Sequence, residues 1–183
     1  MQFKGPFEPD TEKRIEASNR VLLDPSRLEA LHRTGLMDTG NERAFDRLAH
    51  LAAKFLNVPL TIISLVGDKK QFFKAAYGLP SPFDHTREVP IEDSICRYTL
   101  YNKPIIASDV TTDPLLMYHP TVKPSGIGAF IAIPMATAEG EILGAFCAVD
   151  NKARPWSEQD IYLLTELTES VMTEIAYASR FVS

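Results

Sequence analysis

Two apolar segments, each split by a short polar turn, constrain this chain more than any other feature. Leu60 to Val66 is rich in β-branched residues, Gly67-Asp68-Lys69-Lys70 supplies turn chemistry, and Gln71 to Tyr77 follows. Ile127 to Thr137 and Glu141 to Asp150 repeat the pattern about Ala138-Glu139-Gly140. Apolar runs joined by a few turn residues form hairpins, and hairpin partners are antiparallel. Helical patterns stand before and after both pairs. The predicted fold class is therefore α+β, an antiparallel sheet with helices laid on it, and not a doubly wound parallel fold.

The helices follow from period and punctuation. Phe45, Leu48, Ala49, Ala52, Phe55 and Leu56 recur at a helical period between Glu42 and Asn57, with Asn41 as the expected cap and Pro59 closing the segment. Asp24 and Pro25 open a helix to Thr34 that puts Leu28 and Leu31 on one face, and Gly35 stops it. A loop with three prolines spans Gly78 to Pro90, after which Glu92 to Asn102 predicts a helix turning Ile95, Cys96 and Leu100 inward. Lys103 to Ser108 reads as a strand, and Asp113 caps a helical turn opened by Pro114. Ser157 to Asp160 has capping-box spacing ahead of a helix running towards Arg180. There Ile161, Leu164, Thr168, Val171, Ile175 and Ala178 alternate three and four apart. That stripe suits either packing on the chain's own sheet or a self-association seam, with Leu163 and Leu167 meeting a partner.

Residues 1–19 are charged, carry Pro6 and Pro9 and lack periodicity, so they are expected to form a mobile lead-in to a single domain over 20–183. The first twenty residues have no apolar stretch of the secretory kind, and the longest apolar run, Ile127 to Ala136, is about half a membrane span. A cytoplasmic setting without a membrane partner is expected. With 19 basic and 24 acidic residues the net charge is −5, and no Lys/Arg cluster offers a surface for nucleic acid.

Candidate chemistry is sparse. Cys96 has a reactive side chain, yet Arg97 beside it points about 100° away on a helix and gives it little activation. Cys147 sits in a buried-strand pattern and reads as a small hydrophobe. His32, His50, His85 and His119 show no metal-ligand spacing, and Asp109 and Asp113 suit turn and cap roles, so no metal site is expected. Gly126-Ile127-Gly128 precedes a strand where a dinucleotide loop would follow one, and no phosphate loop, G-x-S-x-G elbow or carboxylate pair occurs. No residue is assigned a catalytic role.

Seven stretches in order resemble the GAF family of small-molecule-binding and signalling domains, in the form found at the front of bacterial sensor histidine kinases and diguanylate cyclases. They are Arg27-Leu-Glu-Ala-Leu31 with Thr34-Gly-Leu-Met-Asp-Thr39; Phe45-Asp-Arg-Leu48; Val58-Pro-Leu-Thr-Ile-Ile-Ser-Leu-Val66; Gln71-Phe-Phe-Lys74 with Gly78-Leu79; Asp93-Ser-Ile-Cys96; Asp109-Val-Thr-Thr-Asp-Pro114; and Gly140-Glu-Ile-Leu-Gly-Ala-Phe-Cys-Ala-Val-Asp150. The resemblance implies a central antiparallel sheet of about six strands with helices on both faces. It also implies a ligand pocket between the sheet and the segments Phe83 to Leu100 and Asp109 to Gly126. Phe73, Phe130 and Phe146 would be its aromatic walls, and Asp93, Cys96, Tyr118 and His119 its polar contacts. The implied function is a non-enzymatic sensory or regulatory domain in signal transduction that binds a small molecule, forms a homodimer, or does both, and relays a signal through the terminal helix, with an output kinase or cyclase domain as its expected partner.

The resemblance names no cofactor or ligand. Tyr118-His119 stands where bilin-binding relatives carry a cysteine ahead of histidine, the cyclic-nucleotide motif is missing, and the subtype's Phe-Cys-Ala-His run is here Ile95-Cys-Arg-Tyr98. Free-methionine-sulfoxide reductases share the fold, so a redox enzyme using Cys96 is the alternative. The resolving cysteine that it needs is not found between Asp113 and Gly126.

Overall fold

The structure, a computed structural model, describes residues 8–181. Both expected hairpins form: β1 (Leu60–Val66) with β2 (Lys70–Tyr77), and, after the short strands β3 (Glu88–Pro90) and β4 (Ile105–Ala107), β5 (Ala129–Ala136) with β6 (Ile142–Asp150). β1 pairs with β6, joining the hairpins into one six-stranded sheet of order β3-β2-β1-β6-β5-β4 in which every neighbouring pair is antiparallel. β1 and β6 approach so closely at Gly144 that a Cβ there would stand 2.0 Å from the Ser64 carbonyl oxygen. Only glycine fits that crossing.

Among the described residues, six α-helices accompany the sheet: α1 (Glu8–Leu22), α2 (Pro25–Arg33), α3 (Arg43–Leu56), α4 (Phe83–Thr86), α5 (Val122–Ser125) and α6 (Glu158–Ser179). Strand alternation sends Ile63, Leu65, Ile131, Ile133, Phe146 and Ala148 into a core with α2, α3 and α6. Ile62, Phe73, Phe130, Cys147 and Val149 point the other way, beneath α1 and two 3₁₀ turns, Ile91–Asp93 and Cys96–Thr99. This is the α+β arrangement that the sequence predicts, with the six strands that the resemblance implies.

Several local expectations change. The lead-in expected over residues 1–19 is helical from Glu8 onward, while residues 1–7 lie outside the described part. The order of α1 comes from tertiary contacts that its own sequence does not announce: Arg14 donates to the carbonyls of Tyr98, Lys103 and Pro104, and Ile15, Val21 and Leu22 join the second core. The helix expected over 92–102 is instead the pair of 3₁₀ turns. Between them Ser94 is extended (φ −76°, ψ 122°); its hydroxyl donates to Gln71 and accepts from the Arg97 amide, which pulls the chain out of α geometry. Ile95, Cys96 and Leu100 nevertheless face inward as expected.

In α3 the N-cap is Glu42 and not Asn41: Glu42 is extended (φ −129°, ψ 129°) and makes no side-chain cap bond, its carboxylate instead pairing with the buried Lys74. Phe55 is 66% exposed; ten residues beyond Phe45 it is rotated about 80° off the stripe. The stripe of α6 packs on the chain's own sheet, with Leu164, Thr168, Val171 and Ile175 buried against α3 and β5.

Candidate functional site

The second face of the sheet carries a cavity of about 270 Å³. Its floor is built by strand alternation from Ile62, Phe73, Phe130, Cys147 and Val149, all buried. Ile95 and Cys96, held down by the 3₁₀ turns, form its inner wall. The mouth is exposed and lies between Pro80 and Phe83 on one side and Asp93, Ser125 and Gly126 on the other. Gly78 anchors the segment leading into that rim: it takes φ +76°, and a Cβ there would lie 1.9 Å from the Pro59 carbonyl oxygen.

Polar groups around the cavity are largely spent on one another. Gln71 donates from Nε2 to Ser64 Oγ at 2.8 Å and accepts from Ser94, which closes a buried chain of side chains beneath the first 3₁₀ turn. Thr121 Oγ1 donates to the Asp93 carbonyl at 2.8 Å, tying the segment ahead of α5 to the same turn. Among the described residues lining the cavity none is Lys, Arg or His. A mostly apolar cleft in which no described lining residue is a cation accepts an uncharged molecule more readily than a phosphate or a carboxylate, because a buried unpaired charge is costly.

Of the residues singled out in the sequence, Phe73, Asp93, Cys96 and Phe130 line the cavity. Phe146 does not. It pairs across the sheet with Ile63 and Ile133, so it points into the α3/α6 core, and Cys147 and Val149 on either side of it take the cavity face. Tyr118 is exposed and lies off the cavity. His119 is buried but also outside the lining; its Nδ1 accepts from the Thr121 amide at 3.2 Å, its ring meets Tyr98 edge-on, and burial pushes its pKa below the ordinary histidine value.

Cys147 is buried in its strand, as the sequence reading has it, but that reading does not foresee its place in the site. It lies on the cavity floor, and its thiol meets that of Cys96; this contact, with burial, pushes its pKa well above the usual thiol range. The alternation within β6 predicts that it shares a face with Val149, but nothing local places that face under Cys96. Among the described residues no group of three or more His, Cys, Asp or Glu is suited to hold a metal ion, and no helix is long and apolar enough to cross a membrane.

A single antiparallel sheet with a helical core on one face and a roofed cavity on the other defines a pocket-bearing α+β domain. The chain belongs to the GAF domain family, whose profile matches residues 40–175. It is 31% identical over 153 residues to a cyclic di-GMP phosphodiesterase of Pseudomonas aeruginosa; the match takes in 82% of this chain and 25% of that protein, so the chain spans about a quarter of its curated relative. The fold is similar to the GAF domain of a phosphoenolpyruvate-protein phosphotransferase from Coxiella burnetii (TM-score 0.63, 16% identity, 92% of this chain and 96% of that one). It is also similar to a free methionine-R-sulfoxide reductase from Neisseria meningitidis (TM-score 0.59, 14% identity, 93% of this chain and 92% of that one).

Proposed function

We propose that this GAF domain is a non-enzymatic sensory module whose cavity takes a small, uncharged, largely apolar molecule, and that occupancy is passed through the sheet to α6. The carrying observation is the cavity of about 270 Å³ with a buried apolar floor and, among the described residues lining it, no Lys, Arg or His. Its volume is near the lower end of the range that holds small ligands. The strands that floor the cavity also present Ile131, Phe146 and Ala148 to the core under α6, so a shift of β5 or β6 is felt on both faces. A ligand moves such an equilibrium only by binding its two arrangements unequally. The relative's name supports a place beside an output domain of cyclic-dinucleotide signalling, and a cytoplasmic homodimer is part of the reading.

Native mass spectrometry of the purified chain, with an indole titration by calorimetry, tests this. Wild type is expected to retain a neutral molecule or bind indole, and Val149→Phe, which fills the floor, to do neither while melting normally. Equal behaviour of the two proteins, or preferential binding of cyclic di-GMP in the cavity, would overturn the ligand class.

A reductase acting on free methionine sulfoxide is a second reading, favoured by the meeting of Cys96 and Cys147. Its substrate is a zwitterion, and the cavity has no cation for the carboxylate, which ranks it second. Turnover of free methionine sulfoxide with dithiothreitol, abolished by Cys96→Ser, would reverse that order.

A further inference from the structure

Cys96 and Cys147 are the chain's two cysteines, and they come from distant parts of it: a 3₁₀ turn in the roof and a central strand of the floor. Both are buried, both line the same cavity, and their thiols are neighbours. The cavity connects them to solvent through an exposed mouth beside Asp93; among the described lining residues none is Lys, Arg or His, so an uncharged molecule reaches the sulfurs where an anion is disfavoured. A dithiol at the bottom of an apolar pocket is poised for intramolecular bond formation, since the second sulfur is at hand as soon as the first is oxidised.

We propose that Cys96 and Cys147 form a reversible disulfide inside the cavity when a small uncharged organic hydroperoxide enters it, which makes the pocket an oxidant-responsive site. In the first step the Cys96 sulfur, as thiolate, attacks the hydroperoxide; the O–O bond breaks, a sulfenic acid forms, and the peroxide leaves as its alcohol. In the second step the Cys147 sulfur attacks the sulfenic sulfur, the S–S bond forms and water leaves. Overall two thiols and one hydroperoxide give one disulfide, one alcohol and one water. Each sulfur loses one electron, and the peroxide bond takes up both. A dithiol reductant restores the pair. Cys147 takes the resolving role, its proton leaving with the sulfenic hydroxyl as water, and Cys96 is the sulfur that attacks the oxidant first.

The bond would tie the roof turn Cys96–Thr99 to β6, so oxidation closes the inner end of the cavity against whatever else enters it. The disulfide goes beyond the small-molecule reading and does not need a bound ligand.

The test uses the whole chain, reduced, desalted and treated with cumene hydroperoxide under native conditions, then alkylated after unfolding and mapped by mass spectrometry. The expected result is an intramolecular Cys96–Cys147 cross-link, a mass loss of two hydrogens, and a fall in titratable thiols from two to none, all reversed by dithiothreitol. Cys147→Ser is expected to stop at a sulfenic acid on Cys96 that dimedone traps, and Cys96→Ser to form no cross-link. Disulfides between chains, separate over-oxidation of the two sulfurs, or no change while the unfolded chain does oxidise would each overturn the proposal. These wild-type results decide it even if a variant fails to fold. They are also independent of indole binding, so a chain that binds indole without forming the bond fails this proposal alone.

Discussion

Arg27 is a wholly buried guanidinium on α2 with no ion pair among the described residues. Four carbonyls receive it: Nε donates to Val21 at 3.1 Å, Nη1 to Val66 at 2.7 Å and Ile142 at 3.2 Å, and Nη2 to Leu22 at 2.9 Å. Burial draws its pKa down to about 10 against the pull of Asp24, Glu141 and Asp68, so it stays charged at neutral pH. It therefore clamps the α1–α2 junction to the ends of β1 and β6. Arg27→Ala leaves those carbonyls unpaired and is expected to cost on the order of 3–5 kcal/mol in urea unfolding; a loss below about 1 kcal/mol would show that water replaces the clamp. His119 provides a pH test. Burial lowers its folded pKa below the ordinary 6.5, so the unfolded chain takes up the proton first on acidification. Its contribution is intact above that value and is lost as pH falls through the folded pKa. The drop in Tm from about pH 7.5 to about pH 5.5 should accordingly be smaller in His119→Gln than in wild type. An unchanged drop would remove His119 as its source.

Among the elements, β6 is the most constrained: every one of its residues is buried, and at Gly144 it leaves no room for a side chain. Gly144→Ala must push β1 and β6 apart and is expected to cost on the order of 3 kcal/mol or more. Gly140→Ala lies in the turn at φ +91°, where a Cβ would have nothing within 4 Å, so it meets only backbone strain, roughly 1 kcal/mol. Equal losses in thermal melts of the two variants would refute the close crossing. Elements with a clean local period or cap are legible in the sequence, notably both hairpins and α6, whose Ser157 and Asp160 close a reciprocal capping box. The 3₁₀ turns are not, because Ser94 is diverted by Gln71, a partner on another strand. Neither is α1, whose Arg14 finds its carbonyls about eighty to ninety residues away.

For the whole molecule, two cores share one sheet, and the outer surface of α6 remains available for self-association. Val171 is fully buried, so Val171→Asp is expected to unfold the chain and says nothing about dimers. Tyr162 is 67% exposed on the same helix. Tyr162→Glu should leave the melt within about 0.5 kcal/mol of wild type and, if α6 forms the homodimer, shift the mass by light scattering from dimer to monomer. A dimer unaffected by Tyr162→Glu would move the interface off this face, and a wild-type monomer at high concentration would remove self-association.

Antiparallel pairing, the α+β class, the order of the main elements and the inward stripe of α6 all follow from the chain's own periodicities and turn residues, because these depend on neighbours a few positions apart. Register between distant strands does not, and it decides which residues share a side. β2 carries one extra residue, Lys74, where its pairing with β1 shifts between Ile63 and Ser64, and the pairing of β6 with β1 and β5 turns Phe146 to the helices and Cys147 to the cavity. The cavity, the Arg27 clamp and the meeting of Cys96 with Cys147 exist only once that register is set. Contacts between residues remote in sequence are energetically specified by packing and hydrogen bonding in three dimensions, which no local pattern encodes.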